Sequence, residues 1–369
     1  MMNVAAELNI AVLPGDGIGD EVMACAERVL AVVARKTNLS LRLQHLPGGA
    51  QHYLDTGVAL PDETLAACEQ ADAILFGAMG LPGVRYPDGT EVIPQLDLRF
   101  HFDLYAGVRP IRAFAGLPQI LTDPKWREID LVLVRENIEG LFYGRKHSEA
   151  HRVDGQIESV RDTMKISRHG TGRICDFAFR LAARRAQLKG RAGRVTSIDK
   201  ANVFPSMAFW RRVFEDVSAR FPGIAAESAY VDAMALNLVK KPWVYDVLVA
   251  ENMFGDILSD LVAGLVGGMG MAPSGDIGDT HALFQPAHGT APDIAGRGIA
   301  NPTAMILSAA MMLDWLGERT GNAQLNDAAL LIDAAVEEAY AGGGAFPIEL
   351  GGSHGADAMT MIFLDRIGA

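Results

Sequence analysis

Hydrophobic and polar positions follow two rhythms along this chain. Short apolar runs at 10–13, 73–77, 131–134 and 247–250 each lead into a polar or glycine-rich motif, the pattern of buried strands, and 195–198 is a further strand candidate leading into a polar motif. Apolar residues at helical spacing predict a helix over about 21–34, with Val22, Cys25, Val29, Leu30 and Val33 on one side. Two more helices are predicted around 303–316 and 326–341. Strand and helix patterns alternate over the whole length, which predicts an α/β architecture. The polar stretch 144–159 reads as a protruding arm or hairpin, and 264–298 is rich in glycine. Neither an internal repeat nor a low-complexity tract interrupts the alternation, and composition marks no domain boundary.

The chemistry sits where apolar runs end. After 247–250 comes Asn252-Met253-Phe254-Gly255-Asp256-Ile257-Leu258-Ser259-Asp260. Following a turn at Gly255, Asp256 and Asp260 stand four apart, on one face if the segment is helical. Two carboxylates so placed repel unless a cation lies between them, and a hard divalent ion, Mg²⁺ or Mn²⁺, prefers oxygen donors. The apolar neighbours Ile257, Leu258, Leu261 and Val262 argue against a fully wet face carrying two unrelated acids.

Other strand ends add functional groups. Arg135 closes the 131–134 run, and Arg99 and Arg109 lie in Leu-Asp-Leu-Arg and Val-Arg-Pro. A guanidinium is a planar fork suited to carboxylates, so the three read as binders of a di- or tricarboxylate; ordinary ion pairing is the alternative for each. Lys200 directly follows 195–198, and a lysine partly desolvated near a metal would have a lowered pKa and serve as a base. Asp232 is similarly placed as a third metal ligand. The Pro14-Gly15-Asp16-Gly17-Ile18-Gly19 turn departs from the spacing of a dinucleotide fingerprint and fits a tight strand-to-helix turn equally well. In His288-Gly289-Thr290-Ala291-Pro292-Asp293-Ile294, with Asn301 beyond it, small residues let backbone approach a ligand. Asp293 would accept hydrogen bonds from an adenosine ribose and repel a 2′-phosphate, which selects NAD over NADP.

Composition narrows the partners. With 369 residues, 49% of them hydrophobic, the chain is long enough for two domains or two lobes. A net charge of -12 argues against nonspecific binding to nucleic acid or to membrane surfaces. Cys25, Cys68 and Cys175 are widely separated, like reduced buried thiols and unlike a disulfide frame or a zinc site. A signal-type N-terminus and a membrane-length apolar run are both missing, so the expectation is a cytoplasmic globular protein.

Together these motifs resemble the β-decarboxylating dehydrogenases, the family of isopropylmalate, isocitrate, homoisocitrate and tartrate/D-malate dehydrogenases, from Ile10 to about Ala310. The resemblance implies that family's two-lobed α/β fold with a central mixed sheet, not a Rossmann fold. It implies a large NAD-binding lobe of 1–104 plus 266–369, and a small dimerisation lobe of 105–265 with an arm near 144–165. It implies a homodimer with shared active sites: Mg²⁺ or Mn²⁺ on Asp256 and Asp260, with Asp232 and the base Lys200 from the other subunit. Arg99, Arg109 and Arg135 would hold the malate part of a (2R)-hydroxy acid. His288, Gly289, Thr290, Ala291, Asp293, Ile294 and Asn301 would hold adenosine. Hydride transfer would give a 2-oxo-3-carboxy acid, which loses CO₂.

Two departures from the family pattern stand out. Seven residues after the third arginine the family carries a tyrosine, the acid that protonates the enol; here Phe142 stands there and Tyr143 one place later. In a strand that shift would turn the hydroxyl to the opposite face. Three outcomes are open: Tyr143 serves after backbone adjustment, water or Lys200 protonates, or decarboxylation is impaired. Four residues before the first arginine, isopropylmalate enzymes have a leucine and isocitrate enzymes a polar residue; this chain has Gln95, with Ile93 two places earlier. Glutamine would leave its amide poorly satisfied against an isopropyl group, so the expected substrate is a malate with a small or polar C3 group. A dehydrogenase that stops before decarboxylation and a non-catalytic regulatory subunit are the alternatives.

Overall fold

In a computed structural model, which describes residues 7–344 and 346–368, the chain divides into two compact units. Its strands run β1 (Leu8–Gly15), β2 (Leu41–His45), β3 (Ala73–Ala78), β4 (Ala106–Arg112), β5 (Asp130–Glu136), β6 (Glu149–Val153), β7 (Gln156–Arg161), β8 (Arg194–Asp199), β9 (Ala225–Tyr230), β10 (Val247–Ala250), β11 (Pro273–Ile277) and β12 (Ala282–Pro286).

The first unit contains the chain up to Phe102, residues 113–127, and everything from Ala263 onward. Its strands lie in the order β2-β1-β3-β12-β11. The pairs β1–β2, β1–β3 and β3–β12 are parallel, and β11–β12 is an antiparallel hairpin, so the sheet is mixed. β1 and the Gly19–Thr37 helix realise the first predicted strand and helix. Acids in that helix's first turn (Asp20, Glu21) and bases in its last (Arg35, Lys36) complement its dipole. The helix, with Val22, Val29 and Val33 buried, packs against β1, β3 and the Thr303–Thr320, Ala323–Ala341 and Ala356–Ile367 helices. Each such side chain contributes about 2 kcal/mol by leaving water.

The stretch 113–127, expected within the small lobe, belongs to the first unit. Its side chains decide this. The Trp126 indole donates to the Leu265 carbonyl (2.5 Å), Phe114 packs on Tyr340 with ring centroids 5.3 Å apart, and a Cβ on Gly116 would strike the Tyr340 carbonyl.

The second unit spans Asp103–Arg112 and Glu128–Val262. Its strand order is β4-β5-β10-β8-β9, with β4–β5 antiparallel and the other pairs parallel. β10 lies between β5 and β8 and is buried throughout, which explains its unbroken apolar run. The expected arm is a separate two-stranded hairpin, β6–β7, joined through Asp154 (φ 51°) and Gly155 (φ 81°), an Asp-Gly pair suited to a tight hairpin turn. Both of its strands are exposed along their length. Among the described residues no helix is long and apolar enough to cross a membrane, and the three cysteines are free and buried.

Candidate active site

In the second unit the chemistry collects past the carboxyl ends of parallel strands, where α/β sheets place their ligands. β10 pairs with β5 so that Ala250 lies opposite Arg135, and with β8 so that Ala250 lies opposite Ile198. β8 in turn pairs Asp199 with Tyr230 on β9. Arg135, Lys200, Asp232 and Asp256 therefore all sit at or just past one edge of the sheet.

The Asn252–Gly264 helix begins immediately after β10 and runs through Gly255, which is helical rather than the expected turn. Glycine is needed there for packing: a Cβ would come within 2.8 Å of the Arg135 Cβ. Close approach brings the helix's first turn onto the guanidinium. Asn252 Oδ1 accepts from Arg135 Nε (2.9 Å) and Nη2 (2.7 Å), and Arg135 Nη1 is ion-paired with Asp256. Asp260 follows one turn on. Burial first, and then the charge of Asp256, hold its carboxyl above the usual range, while Arg109 and Arg135 pull it down.

This donor set fits a hard divalent cation. Two carboxylates share one helical face, repel each other, and Asp256 remains 43% exposed, so a cation would relieve the repulsion and still be reached from solvent. Among the described residues no three His, Cys, Asp or Glu side chains converge as metal ligands. Asp232 instead accepts from Lys200 Nζ at 2.7 Å. Asp199, the chain neighbour of Lys200, is fully buried and accepts from Arg211 Nε and Nη2, both at 2.8 Å, and from Ala201 N at 2.9 Å. Around this pair Val203, Phe204, Tyr230, Leu236 and Val239 are exposed.

The segment after β5 explains the displaced tyrosine. Leu141–Lys146 is a 3₁₀ helix, not a strand, so adjacent side chains diverge by about 120° instead of alternating faces. Phe142 takes the place over Arg135, with the guanidinium carbon 4.9 Å from its ring centroid. Tyr143 turns away and stacks on His147 at 3.8 Å, with Lys165 Nζ 5.0 Å from its ring centroid. Three buried acids that sequence reasoning passed over shape this segment: Glu136, Glu139 and Glu251. Glu139 accepts from Ser167 N (2.8 Å) and pairs with Lys165, and Glu251 caps the next helix through the N–H groups of Met253 and Phe254.

Burial pushes the Glu136 carboxyl from 4.5 up to about 7, against the two backbone N–H groups it accepts from. The folded chain thus binds this proton more tightly than the unfolded chain. Stability from this group is full below the unfolded value and is lost as pH rises through the folded one, between about 4.5 and 7. Glu136→Gln keeps the accepting oxygen and removes the titration. In urea unfolding at pH 5 and pH 8 the wild type should lose up to a few kcal/mol more than the variant. Equal losses would rule this out.

In the first unit, Gln95 and Arg99 lie on the Pro94–His101 helix. Arg99 Nη2 donates to Asp276 Oδ2 (3.0 Å), itself held by Gln285 Nε2 (3.0 Å), so this arginine is tied to a buried acid that no local pattern indicates. The Gln95 Oε1 is buried and has no hydrogen-bond partner among the described residues. Burial pulls the His288 imidazole below its usual range, its Nδ1 contacts the Gly289 carbonyl (2.9 Å), and its Nε2 is without a partner among the described residues. Ala291 adopts a left-handed φ of 35°, a local strain, while Gly289 and Asp293 are exposed and Ile294 half-buried. Thr290 and Asn301 are committed to the fold. The Thr290 hydroxyl donates to the Gly80 carbonyl (2.6 Å), and Asn301 Oδ1 accepts from the Thr303 hydroxyl (2.8 Å) while Nδ2 donates to Glu349 (3.0 Å). The Gly15–Gly19 motif is a strand-to-helix turn, whose Asp16 carboxylate is taken up by backbone N–H groups.

The sequence pattern of the isocitrate/isopropylmalate dehydrogenases matches residues 9–365. The chain belongs to this family. Among its relatives, a 3-isopropylmalate dehydrogenase of Pseudoalteromonas translucida is 42% identical over 91% of both chains. A 3-isopropylmalate/3-methylmalate dehydrogenase of Methanocaldococcus jannaschii is also 42% identical, over 93% of this chain and 94% of its own. Among solved structures, an isocitrate dehydrogenase from Methylococcus capsulatus superposes with a TM-score of 0.86 at 33% identity, covering 98% of this chain and 100% of its own. A β-decarboxylating dehydrogenase from Thermococcus kodakarensis gives 0.77 at 36% identity, covering 98% and 96%. This family member is accordingly an oxidoreductase of the decarboxylating hydroxy-acid dehydrogenase class, with the family's α/β fold and mixed sheet.

Proposed function

We propose that this dehydrogenase uses NAD and Mg²⁺ or Mn²⁺ to oxidise and decarboxylate a (2R)-hydroxy dicarboxylic acid, a malate with a small or polar C3 substituent. The observation that carries this is the Asp256–Asp260 pair beside Arg109 and Arg135. Such a set suits an anion and a hard cation together. In this reading Asp256 and Asp260 hold the cation with Asp232 of a second copy. When bound, it lowers the pKa of the substrate hydroxyl and balances the negative charge that develops as CO₂ leaves. Lys200, also from the second copy, would take the hydroxyl proton, and NAD, when bound, would supply the hydride acceptor. The exposure of Asp232, paired with a half-buried Lys200 among exposed apolar side chains, favours such sharing. Arg99, Arg109 and Arg135 orient the carboxylates. The loop from His288 to Asn301 takes adenosine, with the exposed Asp293 facing a ribose.

Gln95 favours the C3 assignment. Its unpartnered buried oxygen would meet a donor on a polar substituent but only methyl groups on an isopropyl one. Phe142 bears on the last step. A phenyl ring over Arg135 has no proton to give, so C3 of the product takes its proton from water or Lys200, and more slowly than from a phenol. One panel tests both points: D-malate, tartrate, isocitrate and isopropylmalate with NAD and Mn²⁺, following NADH and CO₂ together. Tartrate or D-malate should lead. A clear preference for isopropylmalate would sink the substrate reading, and NADH formed without CO₂ would favour a dehydrogenase that stops at the oxo acid.

A further inference from the structure

We propose that Asp16 is a positioning residue that sets the substrate-side and cofactor-side segments of the first unit with one carboxylate; the proposal rests on the functional reading above. Asp16 is 3% exposed, and its charge is taken up entirely by backbone. Oδ2 accepts from Ala50 N (2.7 Å) and Gly80 N (2.9 Å), and Oδ1 from Gln51 N (2.8 Å). Its own N–H donates to the Ala78 carbonyl at 2.7 Å.

Gly80 is the branching point. Its carbonyl accepts the Thr290 hydroxyl (2.6 Å), and the Thr290 carbonyl accepts from Ile18 N (2.8 Å), two residues beyond Asp16. The result is a closed ring: Asp16 carboxylate, Gly80 backbone, Thr290, Ile18 and back to Asp16. Gly80 also backs onto Ile93, since a Cβ there would meet Ile93 Cγ2 at 3.1 Å. Ile93 is the residue from which the helix carrying Gln95 and Arg99 starts. Thr290 is the centre of the His288–Asp293 loop. Gly17 within the ring and Gly49 beside it leave no room for a side chain: a Cβ on Gly17 (φ 60°) would lie 2.1 Å from the Thr290 carbonyl, and one on Gly49 (φ 122°) 2.8 Å from the Asp16 carboxylate. The glycines around Asp16 therefore serve close backbone approach, and the aspartate is the fastener they make room for.

Asp16→Asn keeps the volume but presents an amide donor to at least one backbone N–H. The expected result is a rise of about tenfold in KM for both the hydroxy acid and NAD, with kcat changed by less than about threefold. Thr290→Val, which cuts the ring at Gly80, should raise both KM values as well, Thr290→Ser should restore them, and the double variant should be no worse than the poorer single one. Hydrogen exchange of the full-length protein should accelerate together over 78–82, 92–99 and 288–292. A variant that loses only thermal stability or kcat with both KM values unchanged, multiplicative effects in the double variant, or faster exchange confined to 49–52 would each overturn the proposal. Should Asp16→Asn fail to fold, Thr290→Val carries the same test from the other side of the ring. If the wild type turns over no 2-hydroxy diacid with NAD, the functional reading fails, and the exchange pattern alone still decides the role of Asp16.

Discussion

Asp260→Asn is expected to lower kcat about a thousandfold while leaving NAD affinity unchanged and removing measurable Mn²⁺ binding in calorimetry. A bound divalent cation contributes several kcal/mol to the developing negative charge, and each 1.36 kcal/mol is a factor of ten in rate. Asp260 is the better of the two aspartates to change. Asp256 is the ion-pair partner of Arg135, a guanidinium that is only 4% exposed, so its loss would strand a buried charge and confuse catalysis with folding. Asp260 has its carboxyl raised by burial and by its neighbour, so a neutral amide of the same shape relieves repulsion. The melting temperature should therefore hold or rise. Retained Mn²⁺ binding in this variant would remove the metal assignment.

Lys200→Met and Asp260→Asn should each be inactive alone, and the two chains co-expressed should recover about a quarter of wild-type activity. The arithmetic follows from two-fold symmetry with shared sites. Half of the dimers are mixed, and in each mixed dimer one site draws an intact Asp260 from one chain and an intact Lys200 from the other, while the second site lacks both. This assumes what the single chain suggests: Asp232 and Lys200 pair with each other at 2.7 Å, away from any three-acid cluster, among exposed apolar side chains. Co-expressed chains that stay inactive would mean that each subunit builds its site from its own residues.

The parts of the fold legible in the sequence are those whose burial leaves a mark in local pattern. β1, β3, β5 and β10 carry apolar runs because neighbours cover them, β8 is as buried but holds Thr196 and Ser197 between Val195 and Ile198, and the predicted 21–34, 303–316 and 326–341 helices lie within observed ones. β9 escaped notice because Ala-Ala-Glu-Ser-Ala-Tyr is largely exposed at the sheet's edge and carries no alternation. The Arg168–Lys189 helix escaped because most of its buried stripe is small or weakly apolar (Gly170, Thr171, Cys175, Ala178, Ala182), with only Ile174 and Phe179 as large apolar residues in it.

The candidate site divides along the same line. From sequence alone came the kinds of chemistry: two acids four apart, a lysine and arginines at strand ends, a small-residue loop, and with them the family. Spacing along the chain is preserved in a helix or strand, so such signals survive without a structure. Tertiary structure alone decided which partners each side chain has, because those lie far away in sequence: Arg99 on Asp276, Arg135 on Asn252 and Asp256, Asp16 on Gly80. It also decided that Phe142, not Tyr143, faces Arg135, since a 3₁₀ turn and a strand send neighbouring side chains in different directions and the local sequence does not choose between them.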